Sequence, residues 1–156
     1  MSMWTMDQRN RLAVEHQVLQ REGFSQFGVY HSAETDTYYA SGVATSNAGY
    51  HYSLYCPIPS GFPTQRPPLY ITEPNPLLMK DGTRISSLGV SHAMHTLAPH
   101  ENGWVQICHW RDARWHAGIV LQKVFLKAHI WIEAYEQHVA TGNSLADFVR
   151  TMAEVA

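Results

Sequence analysis

The chain has 156 residues, 45% of them apolar and 15% charged, with a formal net charge of −2. This is about the size of one domain with an adequate core, and a near-neutral chain without a Lys/Arg block excludes an electrostatic footprint for nucleic acid or an anionic membrane surface. Two cysteines exclude a disulfide framework, and no apolar run approaches the ~18 residues of a membrane-spanning helix.

The opening "MSMWTMDQRNRL" has no basic segment followed by an apolar run, so no signal peptide is expected. A cytoplasmic, reducing compartment is the expectation, and there a free thiol survives. Residues 5–22 predict a helix, capped by Thr5 or Asp7 and ended by Gly23. Leu12, Val14, Val18 and Leu19 supply its apolar positions. The period then changes. "FSQFGVYHSA", "TYYASGVATS" and "GYHYSLYCPIP" are rich in Tyr, Phe, Val and Thr, with turn-like breaks at "AETD" and "SNAG". In the third run Tyr50, Tyr52, Leu54 and Cys56 fall on one strand face, which makes Cys56 a core residue. Prolines 59, 63, 67 and 68 prohibit a helix or central strand in the next segment, after which "LYIT" reads as a fourth strand of an antiparallel meander.

Residues 74–117 have no clear period, with short strands expected near 84–90 and 104–108. A loop this long inside a domain usually carries function. From Ile119 the helical period returns through Val120, Val124, Ala128, Trp131 and Tyr135, widened by Leu121, Phe125 and Ile132, and stops near Gly142 and Asn143. "SLADFVRTMAEVA" predicts a short last helix over 144–156 with Ser144 as cap. No repeat or linker interrupts this plan, so residues 1–156 read as one α+β domain with helices packed on an antiparallel sheet.

The chemistry concentrates in "HENGWVQICHW", residues 100–110. Cys108 is a loop cysteine between Gln106 and His109, suited either to a nucleophile or to a small buried filler. His100 titrates near neutral pH and suits an oxyanion donor or a proton acceptor. On an extended backbone the His109 side chain points away from that of Cys108. His92 and His95 are candidates for holding the loop by hydrogen bonds, and Asp112 reads as a solvated turn residue. Trp104, Trp110 and Trp115 read as loop anchors.

The order helix, meander, Pro-rich crossing, long loop with a cysteine, buried helix resembles the ubiquitin-conjugating enzyme fold. "RNRLAVEHQVLQRE" resembles the family's opening helix. Gly61-Phe62-Pro63 and Arg66-Pro67-Pro68 stand where the family has Tyr-Pro-Phe and Lys-Pro-Pro. "NGWVQICHW" resembles Asn-Gly-x-x-Cys-Leu with two extra residues, and Trp115 follows Cys108 by seven residues. The matches span about residues 9–150. "WIEAYEQHVATGNSLADF" resembles bacterial members found in operons with ubiquitin-like proteins and activating enzymes, some in antiphage systems of the CBASS type.

The resemblance implies a thioester carried on Cys108 and passed to a target lysine, with no cofactor. Its implied partners are a ubiquitin-activating-like enzyme, a ubiquitin-like modifier or nucleotidyltransferase C-terminus, and the target protein. The family's His-Pro-Asn signature is absent. The nearest text is Pro99-His100-Glu101-Asn102, and the position of the family's oxyanion-supporting Asn, eight residues before Cys108, holds His100. The oxyanion donor is thus His100 or Asn102. Three rival readings stand beside this one. The first is a zinc site drawn from His92, His95, His100, Cys108 and His109, although neither Cys-x-x-Cys nor His-Glu-x-x-His spacing occurs. The second is a catalytically silent binding module of the same fold. The third is a cysteine peptidase pairing Cys108 with His116 or His129.

Overall fold

The computed structural model describes residues 2–149, and its first helix begins where the sequence caps it. Thr5 Oγ1 accepts from the Gln8 backbone N–H while the Gln8 side chain accepts from the Thr5 N–H, a reciprocal capping box. Helix α1 runs Met6–Arg21. Its buried residues are Leu12, Glu15 and Leu19, whereas Val14 is exposed. The expected apolar position at Val14 is corrected by this register: residues 12, 15 and 19 share one side of a 3.6-residue helix and 14 lies off it.

Strands β1 (Phe27–Ser32), β2 (Thr37–Thr45), β3 (His51–Pro57) and β4 (Leu69–Glu73) form the meander. Tyr52, Leu54 and Cys56 alternate inward, but β3 starts after Tyr50, which is exposed in the preceding turn. Among the described residues the sheet has six strands, the four of the expected meander and two more, one of them the strand expected near 104–108. Two short strands from the aperiodic segment, β5 (Thr96–Leu97) and β6 (Val105–Ile107), complete it in the order β1-β2-β3-β4-β6-β5, every pair antiparallel. The strand expected near 84–90 is instead a 3-10 turn, Ile85–Leu88.

Helix α2 (Leu121–Thr141) covers the core face of the sheet, with Phe125 stacked on Phe27 at 4.2 Å between ring centroids. It ends at Gly142, whose left-handed φ of 83° only glycine adopts without strain. Of the last helix expected over 144–156, only a 3-10 turn at Leu145–Asp147 forms among the described residues, and 150–156 lie outside them. Among the described residues no helix is long and apolar enough to cross a membrane.

The aperiodic segment is ordered largely by polar tips on α2. Trp131 Nε1 donates to Met94 O at 2.9 Å, Tyr135 Oη donates to Leu78 O at 2.6 Å, and His138 Nε2 accepts from the Lys80 N–H at 3.1 Å. The apolar stripe therefore holds the helix on the sheet, and the polar ends of its aromatic side chains tie down the chain that carries Cys108.

The buried Glu15 carboxylate has a structural task. The residue before α2, Val120, offers no side-chain cap, and Glu15 accepts from the Leu121 N–H at 3.2 and 3.3 Å instead. Burial pushes its pKa up, opposed by Arg11 and by the Leu121 N–H. Glu15→Ala is expected to lower stability by about 2 kcal/mol through loss of that cap and of the Arg11 contact. Glu15→Gln keeps an acceptor and should lose less. Urea unfolding of the two variants against wild type measures both values.

Candidate active site

Cys108 sits at the end of β6. The strand is short because its apolar alternation is short: Val105 and Ile107 face the core, and the Gln106 amide donates to Ala98 O at 2.8 Å. The Cys108 N–H donates to His95 O at 3.0 Å, just beyond the last pair of the β5–β6 ladder, Thr96 with Ile107. The thiol is half-buried in a cleft of about 280 Å³, lined by Trp110 and Arg111 on its own segment and by His92, His95 and Leu97 opposite. Burial pushes the thiol pKa up. The positive charges of Arg66, Arg111 and Lys127 act against that shift, and Asp112 adds to it. Cys56 is fully buried on the core face of β3, and burial holds it as a thiol.

After Cys108 the chain turns. The His109 side chain enters the core, fully buried, and its Nε2–H donates to Pro67 O at 2.7 Å. Nδ1 has no partner. Trp110 and Trp115 pack edge-to-face around this ring, and Trp115 Nε1 donates to Pro63 O at 2.9 Å. His109 is thus a buried wall that ties the cysteine segment to the Pro-rich crossing. Burial pushes its pKa down to about 3. An unfolded histidine titrates near 6.5, so between these values the unfolded chain binds more protons than the folded one. The stabilising contribution of neutral His109 is present above about pH 6.5 and is lost as pH falls toward 3. His109→Gln should accordingly flatten the dependence of the urea midpoint on pH between 6.5 and 3. An unchanged slope would show that His109 protonation plays no part in acid unfolding.

His100 and Asn102 lie at the opposite end of the hairpin. The His100 N–H donates to Trp104 O at 3.0 Å, and the Asn102 N–H donates to His100 Nδ1 at 3.0 Å, so residues 100–104 are the tight turn that joins β5 to β6. Four residues of extended chain separate Trp104 from Cys108, roughly 13 Å at 3.3 Å per residue. The His100 ring stacks on Trp104 at 4.5 Å, beside Tyr70, while Asn102 is exposed. The structure therefore does not bring either residue to the thiol. Counting back eight positions presumes a loop that returns to the cysteine, whereas this segment pairs with itself as a hairpin and carries position 100 away.

Other candidates separate cleanly. His92 is exposed at the cleft. His95 is buried, and its Nε2 bonds Val149 O at 2.6 Å. Asp112 is solvated and accepts from Arg66 Nε at 2.7 Å. His116 is exposed in its own turn, bonded to the Gly118 N–H, and His129 lies near Glu133 on α2; neither lines the cleft. Among the described residues no three His, Cys, Asp or Glu side chains converge as a metal-binding group, so the zinc set drawn from His92, His95, His100, Cys108 and His109 is not assembled.

Lys127 is not among the site residues expected from the sequence. It is 1% exposed, its Nζ lies 3.3 Å from the centroid of the Trp110 ring, and that nitrogen has no hydrogen-bond partner. The signal was present: Lys127 stands within the apolar stripe of α2, three residues after Val124 and four before Trp131.

Fold and site together define a class, an α+β protein with one half-buried cysteine in a cleft edged by histidine, arginine and tryptophan. No protein-family model matches the chain, and no curated protein matches it.

Proposed function

We propose that the protein is a ubiquitin-conjugating-like transferase that carries the C-terminus of a ubiquitin-like modifier, or of a nucleotidyltransferase, as a thioester on Cys108. The observation that carries this reading is the position of that thiol: of the two cysteines, Cys108 alone opens into a cleft, at the end of the strand beside β4 and ahead of the core helix. The proposal includes a ubiquitin-conjugating-like fold, and its support is the element order together with the motif resemblances of residues 61–68 and 102–115. The biological setting that the resemblance suggests is bacterial antiphage defence.

In the loading step the Cys108 thiolate attacks the acyl carbon held as a thioester on a ubiquitin-activating-like enzyme. The new S–C bond forms on Cys108, and the activating enzyme's cysteine leaves as a thiolate. In the transfer step a neutral lysine amine attacks the same carbon, Cys108 leaves as a thiolate, and the amine's proton passes to solvent. Negative charge develops on the carbonyl oxygen in both steps. With His100 and Asn102 held at the hairpin turn, donors for that oxygen come from the groups that line the cleft, His92 and Arg111 among them.

The test is a charging reaction with an activating enzyme and modifier encoded beside this protein. A DTT-sensitive adduct on wild-type protein that maps to Cys108 by mass spectrometry supports the reading. A modifier that binds without forming any adduct would assign the protein to the binding modules of this fold.

A further inference from the structure

Among the described residues, three buried side-chain nitrogens lack hydrogen-bond partners: Arg66 Nη1, His109 Nδ1 and Lys127 Nζ. Buried polar groups are nearly always satisfied, so unsatisfied ones call for an explanation. All three belong to one neighbourhood. His109 adjoins Cys108 in sequence, the Lys127 ammonium lies on the face of Trp110, which lines the same cleft, and the charges of Arg66 and Lys127 both act on Cys108. A lysine buried in the apolar stripe of α2 costs desolvation of its charge. Replacing such a charge by an apolar side chain ordinarily stabilises a core.

We propose that Lys127 is the positioning cation of Cys108, an ammonium held on the Trp110 ring to stabilise the thiolate. The inference rests on the thioester reading of the same cysteine. On ionisation the S–H bond breaks, the proton goes to solvent, and sulfur keeps the electron pair within the field of the ammonium. The indole face supports the cation through its quadrupole and leaves the N–H groups free for an anion. Burial opposes the thiolate and keeps the thiol pKa raised, and the positive charges around it offset part of that penalty. The groups facing the pair are Arg66 from the Pro-rich crossing, His92 and His95 from the preceding loop, Arg111, Asp112 and Arg114 from the following turn, and Lys123 on α2. Burial pushes Lys127 down to about 8, Cys108 acts to raise it, and Lys123 acts to lower it. At neutral pH the side chain keeps its proton and serves as a cation.

The measurement is the rate of iodoacetamide alkylation of Cys108 as a function of pH, read by peptide mass spectrometry on the full chain, with buried Cys56 as the internal control. Lys127→Met is expected to slow alkylation at pH 7.5 about tenfold and to move its pH midpoint upward, while Lys127→Arg stays within about threefold of wild type. Equal rates and midpoints in wild type and Lys127→Met would overturn the inference. A second measurement does not depend on how that variant folds. The NMR titration midpoint of the Lys127 ε-methylene in Cys108→Asp should rise relative to Cys108→Ser, because a fixed negative charge at position 108 stabilises the ammonium as the ammonium stabilises the thiolate. An unmoved midpoint also overturns it. Neither experiment needs a modifier. A normal Lys127 effect without charging would refute the thioester reading alone, and charging with an unchanged alkylation profile would refute the Lys127 inference alone.

Discussion

Cys108→Ala is expected to abolish the DTT-sensitive adduct completely, whereas His100→Ala and Asn102→Ala should retain charging within about threefold. The first outcome follows from covalency: without sulfur there is no atom to hold the acyl group, and Cys56 cannot substitute because it is fully buried on the core face of β3. The second follows from the hairpin. Its ladder places the 100–104 turn roughly 13 Å from the thiol, and direct stabilisation of an oxyanion requires a donor near 3 Å. Cys108→Ala should change stability by less than about 1 kcal/mol, since it removes one half-buried sulfur. Non-reducing gels measure charging, and urea unfolding checks the fold. An adduct that persists in Cys108→Ala would move the nucleophile elsewhere. Complete loss in a fully folded His100→Ala would mean that the turn reaches the cleft during the reaction.

Trp131→Ala should cause the largest loss of stability, about 4 kcal/mol, within the usual 3–5 kcal/mol for deleting a buried Trp side chain. Trp131 is completely buried, lies parallel to Tyr135 at 5.5 Å, and donates its indole N–H to Met94 O. Truncation leaves a cavity under α2 and strips Met94 O of the partner it has inside the core. Because Met94 directly precedes His95, whose carbonyl holds the Cys108 N–H, the effect should extend to the site. Faster amide exchange across residues 91–97, beyond what global destabilisation produces, would show it. Trp131→Phe restores most of the packing but not the donor, and should lose about 1–2 kcal/mol. A Trp131→Ala variant within about 1 kcal/mol of wild type would mean that the helix is not the anchor of this segment.

Much of the architecture is legible in the sequence because it is local. The Thr5–Gln8 capping box, the apolar stripe of α2 and the Gly142 stop are signals within a few residues of what they specify, and the alternation of β3 placed Cys56 in the core. Cys108 could be singled out in the same way, as the one cysteine in the long segment without a clear period. The surroundings of that thiol follow from contacts far apart along the chain. Insertion of β6 beside β4 brings Cys108 near Arg66, and packing of α2 sets the Lys127 ammonium on Trp110. The same physics corrects two local readings. Val14 fits an apolar pattern yet lies off the buried face, which is completed by Glu15 because a helix terminus over a hundred residues later needs an acceptor. His100 fits an offset counted along the chain, but cross-strand hydrogen bonds turn residues 96–107 into a hairpin and send it to the far end. Sequence alone determined the two long helices, the four strands of the meander and the choice of cysteine, since propensity, capping and periodicity act over a few residues. Only the tertiary structure decided which charges face that cysteine, because burial and electrostatic proximity depend on how distant segments pack.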